Sequence, residues 1–268
     1  MSFSIAGKTA VVTGAANGVG LSIARQFVAA GANVMFADRD EERLKNELPD
    51  NDDTAGNSAF HAGDLREKLT IANLLSATLD RFDRVDILVN ASRQMVAADP
   101  LNAEDDAVDM LIQQNLMTSL RVSQLFAKRM IKQAEEADPD APAGSIINLS
   151  SIAARRTQPN LLAYSVSSAA LDQLTRSMAV ALAPHRIRVN AIALGSVMSA
   201  SLKGALKEDE DMRGEIIEST PLSRIASPTE LADAAQFLAS EGSSFVTGEI
   251  LTVDGGRSLL DTSGSPAH

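Results

Sequence analysis

The chain has 268 residues, of which 45% are hydrophobic and 22% are charged, a composition that can fill a globular core and excludes wholesale disorder. The excess of 35 Asp and Glu over 24 Lys and Arg gives a net charge of −11, which argues against nucleic acid or an anionic membrane as a partner. The absence of cysteine excludes disulfides and thiolate catalysis, and the three His are not placed at metal-ligand spacing, so no metal site is expected.

Short apolar runs alternate with amphipathic stretches along the chain. The first run, Thr9–Thr13, is rich in β-branched residues, and apolar residues at helical spacing follow over Leu21–Ala30. The later predicted strands are Asn33–Ala37, Ala59–Ala62, Val85–Asn90, Ser145–Ser150, Arg188–Ala193 and Ile250–Val253. The later predicted helices are Glu41–Leu48, Glu67–Phe82, Glu104–Met130, Ala163–Leu182 and Thr229–Leu238. This alternation predicts one α/β domain over residues 1–268, a Rossmann-like doubly wound parallel sheet with helices on both faces.

Three segments are predicted to be surface loops: Pro49–Ser58, Gln133–Gly144 and Ser199–Ser219. The last contains the acidic run Glu208–Asp211, and such a run is typical of a solvated face. Because it lies late in the sheet, we also expect a mobile substrate loop near residues 199–219. No stretch approaches the roughly 20 apolar residues of a membrane span and the start is not typical of a signal peptide, so a cytoplasmic protein is expected.

A glycine-rich loop, Thr13–Gly20 (TGAANGVG), separates the first predicted strand from the first predicted helix. Glycines at this position let the backbone turn tightly and approach a pyrophosphate, and the start of the helix supplies unpaired N–H groups and partial positive charge. Glycines between a strand and a helix can also simply mark a turn. The loop alone is therefore an incomplete argument for nucleotide binding.

Asp38 directly follows the second predicted strand. A carboxylate there can accept both hydroxyls of an adenosine ribose and repels a 2′-phosphate, so NAD is favoured over NADP. Arg39 comes next and could weaken that repulsion. Asp38 could alternatively cap the following helix.

Polar residues also follow the third and fourth predicted strands. Asp64 and Leu65 come after the third, and Asn90, Ala91 and Ser92 end the fourth. Ligands of open α/β sheets bind at the carboxyl ends of the strands. Together with the glycine loop and Asp38, these residues predict a dinucleotide site.

With these motifs, the chain resembles the short-chain dehydrogenase/reductase family over roughly Ile5–Arg257. The TGxxxGxG loop is a full match, Asn90–Ser92 is similar to the family's NAG, and Ser151 precedes Tyr164 at the family spacing. Further similarity lies in Asn115, in Gly195–Ser199 (the family's PGxxxT), in Val246–Gly248 and in Val253–Gly256.

The resemblance implies hydride transfer between nicotinamide and an alcohol or carbonyl group of a small molecule. It assigns Tyr164 as general acid/base, Ser151 as the residue that polarises the substrate oxygen, and Asn115 as part of a proton relay. Without the resemblance, Tyr164 could be a half-buried amphipathic residue and Ser151 a helix cap. The expected cofactor-binding residues are Gly14, Asn17, Gly18, Val19, Gly20, Asp38, Arg39, Asp64, Leu65, Asn90, Ala91, Ser92, Ser168, Gly195 and Val197.

The family's YxxxK motif is incomplete, because Ser168 stands where the Lys is expected, one helical turn beyond Tyr164. In the family that Lys grips the nicotinamide ribose, and its charge favours ionisation of the phenol. One nearby charge changes the ionisation of a group by about 1–3 pH units, so its loss implies a handicap of about ten- to a thousandfold. Ser168 is uncharged and short, although it could hydrogen-bond a ribose hydroxyl.

Two hypotheses follow from this departure. In the first, the protein is a working oxidoreductase in which a cation from elsewhere, Arg93 or Arg155-Arg156, does part of the lysine's work. In the second, it binds the nucleotide with little or no turnover and serves as a sensor or oligomer partner. The intact Ser, Tyr and Asn favour the first.

The two longest predicted helices carry apolar residues on more than one face. In Ala163–Leu182, Leu171 and Leu174 lie on one side, while Val166 and Val180 lie elsewhere. A helix that is apolar nearly all round is buried on both sides. The resemblance implies that these helices form subunit contacts, so a dimer or homotetramer is expected, with internal burial as the alternative.

Overall fold

Strands and helices alternate along the part of the chain that the computed structural model describes, residues 3–48, 56–136, 138–208 and 211–261. The strands are β1 (Thr9–Thr13), β2 (Asn33–Asp38), β3 (Ser58–Ala62), β4 (Ile87–Asn90), β5 (Gly144–Ser151), β6 (Ile187–Leu194) and β7 (Ile250–Val253). The helices are α1 (Gly18–Ala29), α2 (Glu41–Glu47), α3 (Lys68–Phe82), α4 (Ala107–Leu111), α5 (Thr118–Ala134), α6 (Leu162–Leu182), α7 (Ala200–Glu208), α8 (Asp211–Glu218) and α9 (Pro228–Ala239).

The seven strands form one parallel sheet in the order β3-β2-β1-β4-β5-β6-β7. The predicted doubly wound parallel sheet is therefore confirmed. From β1 the chain first builds toward β3 and then returns to add β4 on the other side of β1. This reversal leaves a crevice outside the carboxyl ends of β1 and β4, where such sheets bind ligands.

The central strands are buried on both faces because helices cover both sides of the sheet, whereas the edge strands β3 and β7 are mostly half-buried. Neighbouring residues of a strand point in opposite directions, so Val12 packs in the core beneath α1 and α9 while Val11 packs beneath α3, α5 and α6. Phe27 and Leu231 fill the first core and Phe126 fills the second, all three fully buried. Each such side chain contributes about 1.5–3 kcal/mol through its burial.

The predicted long helix Glu104–Met130 is wrong in its bounds and its continuity. Helix α4 begins only at Ala107, because the Asp105 carboxylate accepts the Ala107 N–H (2.8 Å) and ends the preceding turn. A π-helical turn, Ile112–Met117, then joins α4 to α5, which continues to Ala134. The Thr118 hydroxyl bonds to a carbonyl five residues earlier, in keeping with this wider turn.

The prediction of a loop over Ser199–Ser219 is also wrong, because α7 and α8 occupy most of it. Ser199 starts α7: its Oγ accepts the Leu202 N–H (3.2 Å), which is the action of an N-cap. Ile216 of α8 is buried. The acidic run begins with Glu208, the last residue of α7, and ends with Asp211, the first residue of α8; its two middle residues lie outside the described part of the chain.

The other two predicted loops are shorter than expected. Most of Pro49–Ser58 lies outside the described residues, and β3 already begins at Ser58. Gln133–Gly144 loses its first two residues to α5 and its last to β5. Among the helices of the described residues, none is both long and apolar enough to span a bilayer.

Helix α9, which closes the core over α1, begins with a capping box. Ser227 is the N-cap, and its own N–H is accepted by Glu230 (2.8 Å). The Arg224 guanidinium donates two hydrogen bonds to the Glu230 carboxylate in a bidentate arrangement, at 2.6 and 2.7 Å. These contacts, of which the Arg224 hydrogen bond has the largest effect, lower the pKa of Glu230 to about 2.

We predict that Glu230→Gln lowers the free energy of unfolding by about 1 kcal/mol at neutral pH, the usual size of a lost cap with an exposed ion pair. The folded-state pKa lies below the unfolded value, so this stabilisation is present above about pH 4.5 and disappears as the pH falls toward 2. Denaturant unfolding at several pH values measures it. Glu215→Gln, which changes an exposed residue on α8, is the control. If the wild type is still more stable than Glu230→Gln at pH 2, the prediction is wrong.

Candidate active site

A groove lies outside the carboxyl ends of the central strands, at the point where the strand order reverses. The expected cofactor-binding residues that line it are Gly14, Asn17, Gly18, Val19, Gly20, Asp38, Arg39, Asp64, Leu65, Ala91 and Ser92. Its other lining residues are Gly63, Arg93, Gln94, Gln114, Leu149 and Ser199. The expected site residues outside this lining are Asn90, Asn115, Ser151, Tyr164, Ser168, Gly195 and Val197.

The glycine loop is held against the end of β4 by main-chain contact. A Cβ on Gly14 would lie 2.7 Å from the Ala91 carbonyl oxygen, and Gly14 has a φ of +66°. A Cβ on Gly20 would lie 2.2 Å from the carbonyl oxygen of Gly14. The Thr13 hydroxyl accepts the N–H groups of Ala91 (3.0 Å) and Ser92 (3.1 Å), which fixes the two segments side by side.

The start of α1 follows this loop and has no side-chain cap. Asn17 is the N-cap but makes no capping bond with its side chain, and no acidic residue occupies the first turn. The N–H groups at this end therefore remain available, and the partial positive charge is not neutralised. Such an end suits the pyrophosphate of a dinucleotide.

Asp38 belongs to the groove and does not cap α2. Its two oxygens accept the N–H groups of Ala16 (3.1 Å) and Asp40 (3.1 Å), so the carboxylate is fixed against the glycine loop. Asp40 is the N-cap of α2, with its side chain accepting the Arg43 N–H. The alternative that Asp38 caps α2 is thus wrong. The two backbone contacts fix the orientation of the Asp38 carboxylate, which keeps further lone pairs for other donors.

Asp64 and Leu65, which follow β3, are part of the groove lining. The Arg66 guanidinium bonds to the Asp64 carboxylate (2.9 and 3.0 Å from Nε) and lowers the pKa of that carboxyl. Leu65 is buried in the core beneath α3. At neutral pH Asp64 is therefore a fixed anion, and Leu65 offers its main chain to the groove.

Asn90 has a different place from its neighbours in the motif. Its side chain is buried within the sheet and donates to Ser123 (2.9 Å) and Asn148 (2.8 Å). The Asn148 amide continues this ladder to Thr175 (2.9 Å). Asn90 thus ties β4 to β5, α5 and α6 beneath the groove.

The π-helical turn is hydrogen-bonded to the segment that follows β4. The Asn115 side chain accepts the Gln94 N–H (2.8 Å) and donates to the Gln94 carbonyl (2.9 Å), and it also donates to Ser167 (3.2 Å). Gln114 donates to the Ser92 hydroxyl (3.3 Å). The intervening residue, Arg93, is consequently held from both sides.

Arg93 joins the groove to Tyr164. Its guanidinium donates hydrogen bonds to Tyr164 Oη and to the Ser150 carbonyl (3.2 Å). Its Cζ lies 5.8 Å from the centroid of the tyrosine ring, within the range of a cation–π contact. Tyr164 itself is only 5% exposed and packs with Ala98 and Ala153.

Ser151 ends β5 next to this contact. Its Oγ accepts the Ala153 N–H (3.2 Å) in a 3-10 turn, Ile152–Ala154, so the capping role that the sequence allowed is present. An accepting hydroxyl keeps its own proton. Ser151 can therefore cap the turn and still donate to a substrate oxygen.

Arg155 and Arg156, the other cations considered from the sequence, bond away from the phenol. Arg155 lies 3.8 Å from Asp172 and donates to Thr252 (3.4 Å). Arg156 donates to the Ser258 carbonyl (2.8 Å). Both side chains brace the C-terminal segment against the turn that follows β5.

Ser168 lies on α6 one turn beyond Tyr164 and is 4% exposed. Ser150 Oγ contacts its carbonyl (3.5 Å) and donates to the buried carboxylate of Asp172 (2.5 Å) one turn further on. Burial raises the pKa of the Asp172 carboxyl, against the opposing effects of Ser150 and Arg155. The position that carries Lys in the family is thus followed by a shielded carboxyl.

The segment after β6 approaches the groove through Ser199, while Gly195 and Val197 lie behind it. A Cβ on Gly195 would meet Asp254 at 2.7 Å, and Val197 is buried beside Ala226. Among the described residues there is no His and carboxylate cluster able to hold a metal ion.

Some groove residues carry no recognisable motif. Gln94 and Gln114 lie beside motif residues in the sequence, but their contacts depend on the π-helical turn. Leu149 precedes Ser151 by two positions and so shares its face of β5. Only the last of these could have been inferred from strand alternation.

Comparison with known proteins agrees with this geometry. The sequence profile of a family described as enoyl-(acyl carrier protein) reductase matches residues 14–258. An L-fucose dehydrogenase from Mus musculus is 33% identical over 260 residues, covering 94% of this chain and 89% of the relative. The chain belongs to the short-chain dehydrogenase/reductase family.

Solved structures of the family superpose closely on the chain. A 7α-hydroxysteroid dehydrogenase in complex with NADH and 7-oxo glycochenodeoxycholic acid has a TM-score of 0.86 at 29% identity and covers 95% of this chain and 96% of its own. A gluconate 5-dehydrogenase from Burkholderia cenocepacia J2315 with NADP and tartrate has a TM-score of 0.87 at 30% identity, with coverages of 97% and 98%. The chain is accordingly an NAD(P)-dependent oxidoreductase that transfers a hydride between nicotinamide and an alcohol or carbonyl group.

We predict that Gly20→Ala weakens NADH binding at least about tenfold, because the added methyl meets the Gly14 carbonyl and displaces the loop that faces the pyrophosphate. The matched control is Gly204→Ala in α7, where a Cβ meets nothing within 4 Å. That change leaves binding unaltered and raises helix stability by up to about 1 kcal/mol. Enhancement of NADH fluorescence measures the affinity, and equal affinities of the two variants contradict the prediction.

Proposed function

We propose that the protein oxidises or reduces a small-molecule alcohol or carbonyl at the end of the groove where Arg93 meets Tyr164, with Tyr164 as the general acid/base. The observation that carries this proposal is that Arg93 both lines the groove and bonds to the phenol oxygen. One charged side chain thus connects the nucleotide groove to a phenol that is otherwise enclosed. Such a connection is expected of a site that transfers a proton next to a bound cofactor.

The groove fits a dinucleotide. Gly14 and Gly20 bring bare main chain to its floor, and the uncapped start of α1 supplies N–H groups for a pyrophosphate. Nicotinamide bound here would supply the hydride acceptor for oxidation of an alcohol and the hydride donor for reduction of a carbonyl, and oxidation would also release the hydroxyl proton. Tyr164 Oη receives that proton in oxidation and returns it in reduction.

Ser151 and Asn115 support this proton transfer in different ways. The Ser151 hydroxyl, with its proton free, donates to the substrate oxygen and polarises the carbonyl. Asn115 holds Gln94 through its side chain, and its place in a proton relay is part of the proposal. Ser168, whose hydroxyl lies one turn beyond Tyr164, is proposed to bond the nicotinamide ribose.

The remaining cofactor contacts come from the groove wall. Arg39, Asp64, Leu65, Ala91 and Ser92 line it at the adenosine side and along β4. Gly195 and Val197 act by placing Ser199 at the nicotinamide end. For Asn90 the bonds within the sheet support a positioning role.

We further infer a preference for NAD. Asp38 is fixed by Ala16 and Asp40 so that its carboxylate faces the groove, where it accepts ribose hydroxyls and repels a 2′-phosphate. Arg39 also lines the groove and offsets part of this repulsion. Relatives of the chain contain either NADH or NADP, so the preference rests on Asp38.

Self-association is also proposed. On α6, Leu171 and Met178 are buried in the chain, whereas Val166 and Val180 are 45% and 78% exposed. Val180 lines an apolar hollow together with Thr247, and Phe245, two positions before Thr247 in the sequence, is fully exposed. This uncovered second apolar face supports a dimer or homotetramer, which light scattering measures.

We predict that Tyr164→Phe lowers kcat/KM by about a hundred- to ten-thousandfold, the usual contribution of a general acid/base. Nicotinamide absorbance monitors turnover with L-fucose, gluconate and a hydroxysteroid, the substrate classes named by relatives. NADH affinity is the internal control, since the ring remains and the groove is unchanged. Equal turnover of the variant removes Tyr164 from the reaction, and NADH binding by the wild type without turnover of any alcohol favours the non-catalytic alternative.

We predict that Asp38→Asn improves NADPH affinity at least about tenfold relative to NADH, because the repulsion of a 2′-phosphate by one charge at groove distances is worth about 1–4 kcal/mol. Calorimetric titration of both cofactors measures the ratio. Asp40→Asn, which keeps the helix cap but does not face the groove lining, is the control. Tighter NADPH than NADH binding by the wild type contradicts the proposed preference.

A further inference from the structure

The reaction proposed for Tyr164 needs a stabilised phenolate, but α6 carries no cation one turn beyond Tyr164. Ser168 is uncharged there, and the next turn presents the carboxyl of Asp172. A phenol ionises near pH 10 in water. Without a nearby positive charge, little phenolate would exist at neutral pH to accept the proton of an alcohol.

Arg93 places a cation on the phenol oxygen from the opposite side. It is not on α6 at all: it belongs to the segment after β4, and its guanidinium donates directly to Tyr164 Oη. The same guanidinium donates to the Ser150 carbonyl (3.2 Å), so its plane is fixed by two acceptors. A hydrogen bond from a charged donor stabilises a developing negative charge on its acceptor.

The backbone around Arg93 is restrained on both sides. Thr13 accepts the Ser92 N–H (3.1 Å), and Asn115 makes a pair of bonds to Gln94 (2.8 and 2.9 Å). A flexible Arg loses conformational entropy when it is held in one geometry. These bonds already fix the main chain on both sides of Arg93 in the folded protein. The conformational entropy of this segment is therefore lost on folding and not when substrate binds.

Other charged groups on the elements packed around Tyr164 do not take this role. Asp109 on α4 is exposed and negative. Arg155, after the turn that follows β5, is directed to Asp172 and Thr252. Asp172 on α6 is buried and bonded to Ser150. Within the described residues, Arg93 is the cation that contacts the phenol oxygen.

We propose that Arg93 is a catalytic residue that stabilises the phenolate of Tyr164, so that the charge supplied elsewhere in the family from α6 comes here from the segment after β4. This inference rests on the proposed function of Tyr164. In oxidation the alcohol O–H bond breaks and its proton forms the O–H bond of Tyr164, while the C–H electron pair leaves as hydride to the cofactor. Arg93 keeps all its protons throughout.

A direct test uses the fact that the chain has one Tyr and no Trp. Phenolate absorbance of the protein without cofactor therefore reports Tyr164 alone. In Arg93→Gln we expect the midpoint of this titration to move to higher pH by at least about one unit. Arg93→Lys keeps the charge and gives a smaller movement, while Arg155→Gln removes an equal charge away from the phenol and leaves the midpoint in place.

The same variants are compared in turnover across pH. Arg93→Gln is expected to lower kcat/KM at neutral pH by about ten- to a thousandfold and to shift the rate profile to alkaline pH, with NADH affinity changed less than kcat. The double variant Arg93→Gln, Ser168→Lys puts an ammonium one turn beyond Tyr164 and is expected to restore part of the rate. Circular dichroism and thermal unfolding confirm that each variant is folded.

The outcomes separate the two claims. The role of Arg93 is overturned if Arg93→Gln has the same phenolate titration midpoint and the same pH–rate profile as the wild type. This holds even when Tyr164→Phe is inactive. Faster turnover of Arg93→Gln overturns it too, and shows instead that the guanidinium obstructs the nicotinamide end. If the wild type binds NADH but turns over no alcohol, the proposed function fails, and the titration of the phenol still decides whether Arg93 stabilises its charge.

Discussion

The site depends on the main-chain contact between the glycine loop and the end of β4. Gly14 approaches Ala91 so closely that any Cβ would collide with the Ala91 carbonyl, and the Thr13 hydroxyl accepts the N–H groups of Ala91 and Ser92. This contact forms the floor of the groove and sets the direction in which the chain leaves β4. The position of Arg93 follows from that direction, so cofactor binding and the charge beside Tyr164 share one structural origin.

The π-helical turn between α4 and α5 completes the arrangement from the other side. A regular α-helix would present different side chains to the segment after β4, because each residue added to a turn rotates all later positions. The wider turn places Gln114 against Ser92 and Asn115 against Gln94. Asn115 also reaches Ser167 on α6, which links the helix of Tyr164 to the segment of Arg93.

Sequence patterns predicted the parts of the molecule that depend on local order. The alternation of apolar runs predicted the sheet, and the glycine spacing with the polar residues after the strands predicted part of the groove lining, from Gly14 to Ser92. The break in YxxxK showed that a cation was missing at Ser168, but three arginines were equally acceptable as its source. Choosing among them required knowing that Arg155 bonds to Asp172 and that Arg93 bonds to Tyr164.

The failures of prediction have a more local cause. The late start of α4 coincides with the Asp105 hydrogen bond, and the π-helical turn coincides with the Thr118 hydrogen bond, neither of which the periodicity of apolar residues shows. Likewise α7 depends on Ser199 as its cap, although polar residues nearby are typical of a loop. These bonds join residues at most five positions apart, but they depend on side-chain geometry that an apolar pattern does not show. The partner of Tyr164, in contrast, is set by a contact between residues distant in sequence.

The chemical nature of the guanidinium has a consequence for how protons leave the site. An ammonium can lose a proton in moderately alkaline solution, whereas a guanidinium stays cationic at any pH that a folded protein tolerates. The electric field that Arg93 exerts on the phenol is therefore constant under alkaline conditions. Arg93 also cannot pass protons onward, so the proton taken up by Tyr164 must depart along hydroxyl groups or water rather than through the cation beside it.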